Sequence, residues 1–246
     1  DARLSSNVAR LNSNQTFTGL LNFTNAGNTF VGNGAGLTNL NGGSINAGTL
    51  TRSSLSADVQ SGIGTVGLDV SALGRVVTGS NPSSVAVSGS LACVVNFGSD
   101  SLQVFTTSNS GAPTLAGSVA TGDSPNAVAV SGSHAFVTNT VSNTLQIFNI
   151  SNPAAPTLAG IVTTGLAPQS VAVSGSFAYV VNANSNTLQV FNISNPAAIP
   201  PAGTVTTGST PQSVAVSGSL AYVVNYNSNT LQVFNISNTG VPSPAG

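Results

Sequence analysis

The chain's stock of reactive side chains is short. It holds one histidine, His134, one cysteine, Cys93, five aspartates (1, 58, 69, 100 and 123) and four arginines (3, 10, 52 and 75), with no lysine and no glutamate. A hydrolytic triad or a zinc centre would have to be built from His134 with Asp100 and Asp123, the only acids after residue 75. A glycosidase would need two carboxyl groups held at different pKa values. His134 occupies a slot that holds Leu91, Phe177 and Leu220 elsewhere, and Cys93 a slot that holds Phe136, Tyr179 and Tyr222. Both therefore read as strand positions rather than as a base and a nucleophile, and Cys93 has no basic neighbour in sequence to activate it. Asp100 stands where Asn143, Asn186 and Asn229 stand, and Asp123 where Ser80, Leu166 and Ser209 stand, which reads as drift within turns. Gly-rich phosphate loops followed by lysine, EF-hand loops and Gly-x-Ser-x-Gly elbows do not occur. The expectation is a protein without catalysis, metal or cofactor.

The slots themselves come from a repeat. Val-Ala-Val-Ser-Gly-Ser begins at Val85, Val128, Val171 and Val214, and Leu102, Leu145, Leu188 and Leu231 keep the same step of 43 residues, as do Pro82, Pro125, Pro168 and Pro211. Each copy contains four short β-rich runs separated by turn residues. In the third copy these runs are 170–173, 178–182, 187–193 and 203–207. A period of this length with four strands per unit predicts a blade of a β-propeller, and apolar residues on both strand faces fit blades packed on either side. The predicted fold is all-β: a propeller of four 43-residue, four-stranded repeats over 75–246, preceded by an extended fibrous β segment over 1–74.

The run 178–182 (Ala-Tyr-Val-Val-Asn) followed by 188–196 (Leu-Gln-Val-Phe-Asn-Ile-Ser-Asn-Pro) resembles the LVIVD-type, and more loosely the YVTN-type, propeller repeats of bacterial exported proteins. Where such repeats usually carry aspartate, this chain has Asn192 and Asn195. The resemblance implies the fold and no common reaction.

The phase of the repeats gives a further expectation. The sequence stops at Ala245-Gly246, which aligns with the Ala-Gly pairs at 116–117, 159–160 and 202–203, just ahead of a fourth strand. Arg75, Val76, Val77, Thr78 and Gly79, ahead of the first copy, align with 161–165 and so form an orphan fourth strand. Bare edges invite pairing. Residues 75–79 are therefore expected to complete the last blade, within one chain as a four-bladed ring or between chains as a larger ring or polymer, unless the chain is a fragment of a longer propeller.

Residues 1–74 are dominated by Gly, Asn, Ser and Thr with isolated apolar residues, and Leu-Ser-Ser-Asn-Val at 4–8 is echoed by Leu-Ser-Ala-Asp-Val at 55–59. The stretches 15–19 (Gln-Thr-Phe-Thr-Gly) and 32–40 (Gly-Asn-Gly-Ala-Gly-Leu-Thr-Asn-Leu) resemble shaft repeats of phage tail fibres and bacterial surface fibres. That resemblance implies a segment that obtains its core by association, commonly of three chains, because one copy cannot offset its ordering entropy. The alternative is a flexible linker.

Charge limits the partners. Only 4% of residues are charged, against roughly 25% in an average soluble protein. All arginines lie at or before residue 75, so nothing beyond it can neutralise phosphates, and nucleic-acid binding is excluded. No apolar run is long enough for a membrane-spanning helix, and no membrane insertion is expected. A surface so poor in charge either assembles or needs another coat. Asn-x-Ser/Thr triplets at Asn149, Asn192, Asn235, Asn14 and Asn22 could accept sugars in an exported protein, although such triplets also arise by chance in a chain this rich in Asn, Ser and Thr. The functional expectation is a non-enzymatic, extracellular or cell-surface structural protein of bacterial type, a self-assembling fibre, filament or adhesin subunit. The alternative is a secreted propeller that binds a glycan or protein partner.

Overall fold

The structure, a computed structural model, describes residues 74–107, 112–236 and 241–245. The chain divides into two units, 1–69 and 70–246, and the description that follows concerns the second. The fibrous segment and the triplets at Asn14 and Asn22 lie outside the described residues.

Four antiparallel meanders follow one another. The first sheet comprises β1 (Pro82–Ser88), β2 (Leu91–Asn96), β3 (Ser101–Thr106) and β4 (Thr114–Ala120), and the second β5 (Pro125–Ser131), β6 (His134–Asn139), β7 (Thr144–Asn149) and β8 (Thr157–Thr163). The third comprises β9 (Pro168–Ser174), β10 (Phe177–Asn182), β11 (Thr187–Asn192) and β12 (Pro201–Thr206), and the fourth β13 (Pro211–Ser217), β14 (Leu220–Asn225), β15 (Thr230–Asn235) and β16 (Ser243–Pro244). One sheet per 43-residue copy is what the period predicts. Each Ser-Gly-Ser closes the hairpin between a blade's first two strands, with the glycine at φ 56° as the first residue of a two-residue turn. The proline that opens each first strand is followed by a one-residue register shift, so the missing N–H falls at a bulge.

The core lies between the sheets. Three apolar clusters occupy the three junctions, each joining one blade's second and third strands to the next blade's first three strands. At the first junction Cys93, Val95, Leu102 and Val104 meet Val128, Ala135, Val137, Phe148 and Ile150. The same slots recur at the second and third junctions. Every blade thus has a trailing face, of the Leu102 type, and a leading face, of the Val128 type. On the outer side, the Asn-Pro-Ala-Ala loop of one blade covers the fourth strand of the blade before it. A Cβ at Gly160 would overlap the carbonyl oxygen of Pro196, and one at Gly117 that of Pro153.

Among the described residues no strand pairing joins the fourth sheet to the first. Residues 75–79 belong to none of the four sheets, Val77 is 88% exposed, and the fourth sheet ends in the two-residue β16. Arg75, Val76, Val77, Thr78 and Gly79, expected to close the last blade, pair with no strand of it here. At each junction neighbouring sheets touch from the first strand out to the third. The second and third blades bury both faces, while the leading face of the first and the trailing face of the fourth are exposed among the described residues.

Candidate functional site

The recurring polar feature is an amide belt at one end of the blades. Each second strand ends in a buried asparagine: Asn96, Asn139, Asn182 and Asn225, none more than 2% exposed. Its Nδ2 donates to the hydroxyl five residues on (Ser101, Thr144, Thr187 or Thr230) and to Oε1 of the glutamine seven residues on, at 3.0–3.1 Å. That glutamine oxygen also accepts the N–H of Gly79, Gly122, Gly165 or Gly208 at 2.6–2.9 Å, tying the entry of the blade to its third strand. The Oδ1 of all four asparagines has no donor from the protein. The belt uses amides where charges would be costly to bury.

A second polar device crosses the junctions. Asp100, Asn143, Asn186 and Asn229 sit at φ 46–54°, a left-handed conformation that Asn and Asp tolerate better than most residues. The N–H of Ser124 donates to Asp100 Oδ1 at 2.8 Å, and those of Ala167 and Thr210 donate to Asn143 and Asn186 Oδ1 at 2.7 Å. Each acceptor thus clasps the start of the following blade. Asp100 is no drift: Asp and Asn share the acceptor and the backbone preference that the slot demands. Ser84 and Ser170 add parallel bonds, their Oγ accepting the N–H of Val128 and Val214 at 3.2 and 3.3 Å.

His134 and Cys93 lie apart from the two aspartates of the propeller. Asp100 and Asp123 lie at the belt end, exposed, the latter in the connection between β4 and β5 with its N–H donating to Ser142 Oγ. His134 opens β6 beside the hairpin at the other end of that blade, ~20 Å of strand away. Its Nδ1 lies 3.4 Å from Ser133 Oγ. Cys93 is fully buried in the first junction, and burial pushes its thiol up to about 11, the opposite of an activated nucleophile. Among the described residues no three His, Cys, Asp or Glu side chains gather where they could hold a metal.

The repeated Asn-Ile-Ser has a structural cause that sequence reasoning missed. Asn149 and Asn192 fold back so that Oδ1 accepts the N–H of Ser151 and Ser194 at 2.9 and 3.0 Å, an Asx turn that ends the third strand. Ile150, Ile193 and Ile236 are then driven into the junction clusters. Asn235, at the same slot, is exposed.

Three hollows stand out. One lies on the trailing face of the fourth blade (Gln212, Val224, Tyr226, Asn229, Thr230, Leu231) and one on the leading face of the first (Thr78, Pro82, Ser83, Ser84, Val85, Val94). The third lies at the hairpin rim between the last two blades, around Phe177, Tyr179 and Ile236. None contains a carboxylate, imidazole or cation.

A search of curated proteins finds no match. Among solved structures the chain is similar to a protein of Bacteroides uniformis provisionally assigned as a 6-phosphogluconolactonase (16% identity, TM-score 0.61, covering 67% of this chain and 53% of that one). It is also similar to the periplasmic gluconolactonase of Pseudomonas aeruginosa (22%, 0.56, 67% and 55%). A third similar structure is the computationally designed Ika4 protein (12%, 0.55, 66% and 97%). The chain spans about half the length of the first two, and at these identities the likeness is one of fold. A family model described as the LVIVD repeat matches residues 79–121, 122–164, 167–207 and 208–245, one match for each observed sheet. With four blades in the order and phase that these matches require, the chain belongs to the LVIVD repeat family.

Proposed function

We propose that the protein is a non-enzymatic, extracellular structural subunit of a surface fibre, filament or adhesin, which self-assembles through its N-terminal segment and through strand complementation between molecules. One observation carries this reading. Ser101, Leu102 and Gln103 pair with Ala120, Val119 and Ser118, whereas among the described residues their counterparts Thr230, Leu231 and Gln232 have no partner on the outer side, where β16 pairs only Phe234 and Asn235. In the repeat phase the missing partners correspond to Val77, Val76 and Arg75. Supplied by another molecule, these three residues would face Thr230, Leu231 and Gln232 in the register of the first sheet. The near absence of charge supports assembly, since little repulsion keeps copies apart. Glycans on Asn149, Asn192 or Asn235 would coat such an assembly, and intact-mass measurement of the native protein tests for them.

Electron microscopy and light scattering on the full chain are the test: fibres or defined oligomers are expected, and V76P should weaken them by removing a ladder N–H. A monodisperse single chain would overturn the reading. A second reading, a module that binds a glycan, is favoured by Tyr226, 72% exposed beside Gln212 and Asn229. Glycan-array binding by the full chain that is lost in Y226A would support it over assembly.

A further inference from the structure

We infer that the two open faces of the blade array are halves of one interface, on which a second copy of this chain docks head to tail, the first blade of one molecule seating on the fourth blade of the next. This rests on the assembly reading above and names its surface.

The argument is continuity with an interface already present three times. At each internal junction a leading-face valine and a trailing-face leucine are buried: Val128, Val171 and Val214 are 6–8% exposed, and Leu102, Leu145 and Leu188 are 0% exposed. Their counterparts at the ends are Val85 at 61% and Leu231 at 62%. Val224, in the slot of the fully buried Val95 and Val181, is 43% exposed. The end faces therefore carry the same apolar residues as the internal faces, in the same slots, and are exposed among the described residues. An exposed apolar patch of this kind marks an interaction site, and its complement stands at the other end of the same molecule.

The polar groups repeat the same logic. Asn229 holds the clasp position filled by Asp100, Asn143 and Asn186, and the N–H that it would accept is that of Asn81, which sits at φ 50° like the three residues already clasped. Ser213 stands in the slot of Ser84 and Ser170, whose partners are the N–H groups of Val128 and Val214; its counterpart partner is Val85 N–H. The two end hollows coincide with these halves, one around Asn229 and Leu231 and the other around Ser83 and Val85. The two hollows are lined by no ionised group, and strand complementation would set Arg75 opposite Gln232. Contacts of this head-to-tail type close as a ring or extend as a filament according to the turn per molecule.

The test uses the full chain and two substitutions of exposed residues, V85D on the leading face and L231D on the trailing face, with V87D and V224D as a second pair and circular dichroism to confirm folding. By light scattering the unsubstituted protein should show at least twice the chain mass of 24.1 kDa. Each variant alone should lose mass, because one half of every junction is charged. Mixing V85D with L231D should raise the mass above that of either alone, since the intact Leu231 face of the first can seat the intact Val85 face of the second. If the unsubstituted chain assembles and neither pair of substitutions changes its mass, this inference falls while assembly through the N-terminal segment stands. If the unsubstituted chain is a single molecule at its highest soluble concentration, both fall.

Discussion

Replacing Asn143 by alanine should cost about 2 kcal/mol of stability, from two sources that its repeat counterparts allow to be separated. Asn143 is held at φ 54°, where an alanine pays about 1 kcal/mol in steric strain. Its Oδ1 also accepts the Ala167 N–H at 2.7 Å across the junction, a bond worth about 1 kcal/mol net. In N229A only the first cost applies to the isolated chain, because the following blade that would donate to it is absent among the described residues. The expected loss there is about 1 kcal/mol. N143G should likewise lose about 1 kcal/mol, keeping the backbone conformation but not the acceptor, and N143D should keep the clasp, as Asp100 does, while losing the Nδ2 donation to the Val141 carbonyl 3.1 Å away, a cost of up to about 1 kcal/mol. Urea titration followed by far-ultraviolet circular dichroism, at a protein concentration where light scattering shows single chains, gives the four values. A difference between N143A and N229A below about 0.5 kcal/mol would refute the assignment of the asparagine as a clasp between blades.

Three other outcomes are expected. G160A should cost more than about 3 kcal/mol or prevent folding, because its Cβ would collide with the Pro196 carbonyl, whereas G175A, whose Cβ meets nothing within 4 Å, should cost about 1 kcal/mol from its φ of 56° alone; thermal melts of the two variants compare them. L145A should lose about 2–5 kcal/mol by opening a cavity in the second junction, while L231A, at a surface position, should lose under about 1 kcal/mol in the single chain, as read by the same melts. The Cys93 thiol, raised by burial from 9.0 to about 11, should resist alkylation in the folded protein at pH 8. Above pH 9 the unfolded chain loses its thiol proton first, so stability, complete below pH 9, should fall by up to about 3 kcal/mol towards pH 11. C93A should reduce that slope, leaving the part due to Tyr179, whose phenol is also raised by burial.

The blades were legible in the sequence because the signals were local and repeated. The Ser-Gly-Ser turn at Gly175 and the apolar run 178–182 each act over a few residues, and four copies in phase exclude a chance pattern. The third strand was read one residue too long, at Ile193, because an apolar residue after Asn192 looks like strand; the Asx turn at Asn192 ends the ladder and turns Ile193 into the junction. Closure was a different kind of question. It depends on the angle between neighbouring sheets, and residue spacing along the chain does not encode that angle. The clasp at Asp100 was missed for a related reason. Its partner is the backbone of Ser124, which carries no side-chain signature, so an Asp among three Asn looked accidental. A search for positions restricted to Asn and Asp, 24 residues ahead of the start of the following blade, would have found it.

Among the described residues the hydrogen bonds that tie one blade to another reach only to its immediate neighbour, and each junction is a near copy of the last. Whole multiples of 43 residues could therefore be gained or lost by recombination between the near-identical copies, without creating a surface the protein does not already have. Lineages could vary the length of the array freely, while an insertion of any other size would break the phase of belt, clasp and loop together.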